Sequence, residues 1–209
     1  MKNLKLNITL LLMIFLTLGS AYAQDSSQEQ KEKFVMGVEG GFAMADTADA
    51  VRALGQAFAD STGRTVAYTY EESTFAGRIF GLYSISERVD IEAGYMYTGS
   101  MDANYSFSGT TATSSIGLKA NGFDAGIRAN TDSGIFLKVG VHKYDLDTTA
   151  SVTISGTTYT ETSTSNDASS YLGAGFDIGE KASIGYTLYN KVGGNDGGDV
   201  GFLYLGYKF

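Results

Sequence analysis

Nine ionisable side chains carry most of the chemistry this sequence can offer. Glu39, Arg78, Asp90, Glu92, Asp124, Arg128, Lys138, Asp177 and Lys208 all stand on one parity of short stretches whose other parity is apolar. Held away from water, separate charges are costly and persist only when paired and hydrogen-bonded. Glu39, Arg78, Glu92, Asp124, Arg128 and Lys138 form the candidate network, with Arg128 expected between Glu92 and Lys138. Such a network could act as a salt-bridged plug or as the gate of a narrow pore. Nucleophilic chemistry finds little support. His142 is the one histidine, on the charged parity, and no Ser or carboxylate near it has triad spacing. One His and no Cys leave only scattered carboxylates for a metal, so catalytic residues: none, metal: none, and no cofactor is expected.

These residues must be positioned by strands. Side chains alternate faces along an extended chain. Phe34, Met36, Val38, Gly40, Phe42 and Met44 share a face, as do Phe75, Gly77, Ile79, Gly81, Tyr83 and Ile85. Val89, Ile91, Ala93, Tyr95 and Tyr97 follow, then Phe123, Ala125, Ile127 and Ala129. Ile135, Leu137, Val139 and Val141 make a fifth set; Leu172, Ala174, Phe176 and Ile178 a sixth; Ala182, Ile184, Tyr186 and Leu188 a seventh. Leu203, Leu205, Tyr207 and Phe209 close the series as the eighth. Charges recur on the opposite parity of every strand but the seventh.

Short polar turns at Ser86-Glu87-Arg88, Thr131-Asp132-Ser133 and Gly179-Glu180-Lys181 recur at even intervals. Between them lie the hairpin tips Ser108-Gly109-Thr110-Thr111 and Ser155-Gly156-Thr157-Thr158. Tight turns alternating with long excursions predict an all-β fold: an eight-stranded antiparallel up-and-down transmembrane β-barrel. Lys2 and Lys5, the apolar run from Leu10 to Leu16, and Ala21-Tyr22-Ala23 fit a secretory signal peptide cleaved after Ala23. The expected organisation is therefore residues 1–23 signal peptide, 24–33 polar tail and 34–209 barrel domain. With 27 Gly, 14 Tyr and 12 Phe but no Pro or Cys, the chain has neither rigid linkers nor a disulfide scaffold. Its net charge of −8 argues against nucleic acid as a partner. No segment after the signal approaches the roughly 20 apolar residues of a membrane helix, so entry into a membrane requires a closed barrel.

Parity alone does not say which face is inside, and a soluble ligand-binding barrel reverses the assignment. The apolar face is placed toward lipid, because the secretion signal and the apolar final strand accompany it. Here a family resemblance enters. Val89-Asp90-Ile91-Glu92-Ala93-Gly94-Tyr95, Phe136-Leu137-Lys138-Val139-Gly140 and Tyr171-Leu172-Gly173-Ala174-Gly175 each fall at an expected strand position. In order and spacing they resemble the small outer-membrane β-barrel family of OmpA/OmpX-type and opacity-protein-like domains, over residues 34–209. The resemblance implies the bacterial outer membrane, surrounding lipid and lipopolysaccharide, and insertion by the assembly machinery with periplasmic chaperones. It also implies that Leu203, Leu205, Tyr207 and Phe209 form the assembly signal. Full OmpA-like chains continue into a peptidoglycan-binding domain, and this chain is expected to lie nearer the OmpX type.

Eight strands leave an interior just filled by side chains. The expected role is a monomeric, surface-exposed structural or adhesive scaffold with a largely closed lumen. A narrow gated pore for small solutes is the main alternative, and a soluble ligand-binding barrel is the third. The excursions at 45–65 and 145–168 are the candidate contacts for an extracellular partner. Within the first, Val51, Leu54 and Phe58 are spaced for one helix face, with Asp46 or Thr47 to cap its start and Gly63 after its end. That helix is expected to fold over the barrel mouth or to meet a partner or lipid headgroups. The second excursion, rich in Thr and Ser with Val152, Ile154 and Tyr159 about its tip, is expected to project as a hairpin beyond the membrane.

Overall fold

The alternation along the chain is realised as strands over most of its length. The computed structural model describes residues 34–194 and 198–209. The expected signal peptide and polar tail, residues 1–23 and 24–33, lie outside the described residues. In chain order the elements are β1 (Phe34–Ala45), α1 (Ala48–Thr62), β2 (Val66–Tyr70), β3 (Ser73–Ser84), β4 (Val89–Thr98) and β5 (Met101–Phe107), then β6 (Thr113–Asn130), β7 (Ile135–Ile154), β8 (Thr157–Ile178), β9 (Ala182–Val192) and β10 (Gly198–Lys208).

Eight of the strands close on themselves, in the order β1-β3-β4-β6-β7-β8-β9-β10. The seam between β1 and β10 runs from Gly37 opposite Lys208 to Ala45 opposite Val200. On the far side, β6 and β7 pair without a break from Thr113 opposite Thr153 to Asn130 opposite Phe136. Every neighbouring pair is antiparallel. Closure gives each strand a partner on both sides, and a hydrocarbon surround demands this of any sheet that crosses it.

Burial decides the face that parity left open. Phe75, Phe123 and Leu205 are 66%, 70% and 64% exposed, whereas Glu92 and Arg78 are 0% and 2%. The apolar rows face outward and the charges face in. A soluble barrel would have the reverse. Aromatic side chains share the interior: Phe136, Tyr144, Tyr171, Tyr189, Phe202 and Tyr204 are all buried. The tight turns and the start of β1 gather at one end, where Phe34 stands opposite Tyr83 and Gly37 opposite Lys208.

At the other end the barrel is continued by a sheet. β7 is 20 residues long and β8 is 22, about twice the 9–11 residues that cross a membrane. The two remain paired up to Ile154 opposite Thr157. A two-residue turn then reverses the chain at Ser155 and Gly156, whose φ values of 52° and 84° suit the twist of a type I′ hairpin. β6 accompanies β7 outward, β5 pairs with β6, and β2 pairs with β5. The alternation foresaw the eight barrel strands and assigned no strand to β2 or β5. Helix α1 begins after Thr47 and ends at Gly63 in the left-handed conformation, whose N–H donates to the Ala59 carbonyl. Its apolar stripe of Val51, Leu54 and Phe58 packs on Ala103, Tyr105, Phe107, Ile116 and Val66. The helix thus covers the sheet beyond the barrel, which supplies the apolar surface its stripe needs.

A charge at mid-band on the outer face should be expensive, and one above the band should not. Leu137→Arg or Val139→Arg is expected to cost about 2–4 kcal/mol in urea unfolding from phospholipid vesicles. Ser151→Arg, on the same face of β7 beyond the membrane, should be close to neutral, and equal losses at Leu137 and Ser151 would contradict the outward assignment.

Candidate functional site

The interior of the barrel brings most of the expected charge network together around Arg78. Arg78 lies on β3 opposite Glu39 of β1 and Met96 of β4. Its guanidinium donates through Nη1 to Glu39 Oε2 at 3.0 Å and through Nη2 to Glu92 Oε1 at 2.7 Å. Nε and Nη2 together hold Asp124, with Nε to Oδ2 at 2.9 Å. A planar fork with five donors suits three carboxylates in a way one ammonium would not. Lys138 closes the cluster from β7, its Nζ lying 3.3 Å from Glu39 Oε1 and 3.6 Å from Glu92 Oε1. All five side chains are buried.

Arg128 joins a different group. On β6 it stands directly opposite Lys138, and like charges in one row push their heads apart. Lys138 turns toward Glu39. Arg128 turns the other way, lying over the Phe136 ring at 3.7 Å and donating to Asp177 at 2.6 Å and Asn130 at 2.9 Å. The expected place between Glu92 and Lys138 is therefore corrected. Asp177 also meets Lys208 at 3.1 Å, while Asn130 and Ser84 donate to Asp90. The lumen thus carries two layers of paired charge, the Arg78 layer within the barrel and the Arg128 layer toward the tight turns.

The aromatics that fill the rest of the lumen went unforeseen, although they share parity with the charges. Tyr144 donates to Asp124 Oδ2 at 2.8 Å, joining the Arg78 layer to a stack with Tyr189 and His142. Glycine makes room for them. Glu92, Gly126, Gly140 and Tyr171 occupy one row across four successive strands. A Cβ at Gly126 would stand 2.6 Å from the Tyr171 hydroxyl, and one at Gly140 would stand 2.7 Å from its ring. The tyrosine therefore reaches across two strands that present no side chain. Small residues opposite large ones on the inward parity were the available signal.

His142 is buried, with Nε2 2.8 Å from the Asn190 carbonyl oxygen and its ring 4.7 Å from that of Tyr144. These neighbours give it a packing and hydrogen-bonding role and no nucleophile. Leu203, Leu205, Tyr207 and Phe209 occupy the outer face of the closing seam, and the Phe209 N–H donates to Met36 on β1. Along the projecting β7–β8 hairpin the hydroxyls pair across strands, Ser151 with Thr160 and Thr153 with Thr158, each at 2.9 Å. The outer edge of β8 above the barrel is exposed from Thr157 to Ala168.

The family model described as the OmpA-like transmembrane domain matches residues 18–196. Among solved structures, the chain is similar to Ail, the attachment invasion locus protein of Yersinia pestis. That match has 14% identity and a TM-score of 0.48, covering 85% of this chain and 99% of that one. It is also similar to Neisserial surface protein A, at 15% identity and a TM-score of 0.39 over 86% and 98% of the two chains. OprG from Pseudomonas aeruginosa gives 10% identity and a TM-score of 0.43 over 84% and 95%. No curated protein sequence matches.

Arg78→Met would leave three carboxylates buried with one lysine between them. We expect a loss of about 3–5 kcal/mol in equilibrium unfolding, the scale for breaking a buried ion pair from one side. Arg88→Met, whose partner Asp132 is 80% exposed at the side chain, should cost far less. Comparable losses would mean that the Arg78 cluster is solvated.

Proposed function

Because the chain belongs to the OmpA-like transmembrane domain family, we propose that this outer-membrane barrel works as a closed, surface-exposed scaffold whose extracellular sheet carries structural or adhesive contacts. The observation that carries the reading is the filled lumen. Arg78, Glu39, Glu92, Asp124 and Lys138 are buried and mutually bonded, with Tyr144, Tyr171, Tyr189 and Tyr204 packed about them. An interior of this kind gives a rigid wall and no aqueous path. What remains free to act is the part outside the lipid: the long β6-β7-β8 extension, helix α1 and the exposed edge of β8. A strand edge with unpaired backbone groups is a ready partner for another chain.

Export through a cleaved signal peptide and insertion by the assembly machinery, with periplasmic chaperones, belong to the same reading. Leu203, Leu205, Tyr207 and Phe209 are its proposed recognition element. The barrel acts as a monomer in lipid and lipopolysaccharide. The reading is non-enzymatic: among the described residues, the buried His142 packs on Tyr144 and bonds the Asn190 carbonyl.

A narrow gated pore is the second reading, and one observation favours it. Glu92 Oε2 and the hydroxyls of Tyr171, Thr187 and Tyr204 are buried with no hydrogen-bond partner among the described residues. Buried polar atoms of that kind are commonly served by water. Planar-bilayer recording separates the two readings. The scaffold reading expects no discrete openings from wild type or from Glu92→Gln, and openings created or enlarged by Glu92→Gln would establish the gate. For the scaffold itself, residues 148–163 can be replaced by an Asn-Gly turn. Cells carrying that variant should keep a heat-modifiable barrel and lose attachment to surfaces that bind wild-type cells.

A further inference from the structure

The outer face of the extracellular sheet carries a second feature that the scaffold reading leaves unused. Two rows cross four strands: Ser106, Thr113 and Thr153 continue from Ala67, and Thr69, Asn104, Ser115 and Ser151 lie beside them. Residues opposite one another across a strand pair share a face, so these side chains form one hydroxyl and amide surface. They line a cleft of about 340 Å³ that contains no charged residue. The charged side chains of the same face stand apart from it, Glu71 and Asp102 at one side and Lys119, Lys143, Asp145 and Asp147 nearer the barrel. Part of the hydrogen-bonding capacity of the cleft is unspent. Thr69, Asn104, Thr113 and Ser115 have no side-chain partner among the described residues, whereas Ser106 donates to the Ala67 carbonyl and Ser151 and Thr153 pair with Thr160 and Thr158.

The register says what stands against this face. On β7 the outward positions run Leu137, Val139 and Val141, then Lys143, Asp145 and Asp147, then Thr149, Ser151 and Thr153. On β6 the same face runs Ile127, Ala125 and Phe123, then Asn121 and Lys119, then Gly117, Ser115 and Thr113. The pairing between the two strands has no register shift, so all three zones lie on the face that meets the membrane below. Apolar, then charged, then uncharged and hydroxylated is the order in which a glycolipid presents acyl chains, an ionised headgroup and sugars. Lys119 is held at the middle level with its Nζ 4.5 Å from the centre of the Tyr97 ring.

We propose that the cleft binds neutral sugar units of the glycolipid in the outer leaflet around the barrel. This rests on the outer-membrane reading and adds the ligand class and the residues that meet it. A neutral polyol matches the cleft because each sugar hydroxyl can donate to and accept from Ser, Thr and Asn side chains, with no charge to desolvate. The strands are fixed by their ladders, so binding orders little of the protein. The ligand is the membrane's own glycolipid because the face continues the lipid-contacting rows of β6 and β7.

The test uses the full barrel refolded in phospholipid nanodiscs. The probe is the polysaccharide cut by mild acid from lipopolysaccharide of the expressing bacterium, which carries no acyl chains. Saturation-transfer NMR should show transfer to sugar protons with wild type. It should fall at least several-fold in Asn104→Leu/Ser115→Leu and also in Asn104→Asp, which keeps the size and adds a charge. Heat-modifiable gel mobility must persist in each protein. Its absence in wild type would reject the barrel reading itself, and its absence in the leucine variant leaves the aspartate variant to decide. No transfer to wild type, undiminished transfer to the variants, or equal transfer to dextran would overturn the proposal.

Discussion

A guanidinium among three carboxylates inside a membrane protein is the interaction on which the rest of this structure depends. Arg78, Glu39, Glu92 and Asp124 are each expensive to bury alone, and together they are tolerable only with near-complete pairing. That pairing draws side chains from β1, β3, β4 and β6, with Lys138 adding β7. Five of the eight barrel strands therefore converge on one cluster, and a slip of one residue in any of them would send its charge to the lipid face. The cluster specifies register as well as contributing bonds. The outward rows impose the same register from the other side, since Leu137, Ile127 and Phe123 must meet hydrocarbon when Lys138, Arg128 and Asp124 face inward.

The filling of the lumen bears on the proposed function. A barrel of eight strands has little interior to spare, and here aromatic rings take what the ion pairs leave. Tyr171 crosses the bare backbone at Gly126 and Gly140, so these glycines are part of how the interior is filled. On the proposed scaffold reading, the long β6-β7-β8 sheet is the part left to make contacts. Its hydroxyl face, its helix-covered face and its open edge offer three different surfaces. Helix α1 occupies one of them, and the outward hydroxyl cleft is continuous with the lipid-facing strands.

Much of this was legible in the alternation of side chains. Period-two rows such as Ile135, Leu137, Val139 and Val141 against Lys138 and His142 identify both the strand and its two faces. The spacing of the tight turns identifies their order. Val66–Tyr70 and Met101–Phe107 were not legible as strands, because Val66-Ala67-Tyr68-Thr69-Tyr70 is short and owes its place to pairing with β5 and cover by α1. The helix itself was legible from Val51, Leu54 and Phe58, whereas the sheet that receives it was not. Arg128 shows a different limit. Its parity and row follow from the sequence, but the direction of a long side chain depends on the like charge of Lys138 opposite and on the Phe136 ring beneath it. The reach of Tyr171 is hidden for a similar reason: it requires knowing that glycines on two other strands lie in its row.

The central claim is that Arg78 is buried and bonded in a cluster at the heart of the barrel. Its Nε–H donates to Asp124, and that proton can be followed directly by nitrogen-edited NMR of the protein refolded in detergent micelles. After transfer into heavy water, the Arg78 Nε–H resonance should persist long after those of exposed Arg52 and Arg64 have exchanged. Disappearance of the Arg78 signal at the same rate as theirs would contradict the account.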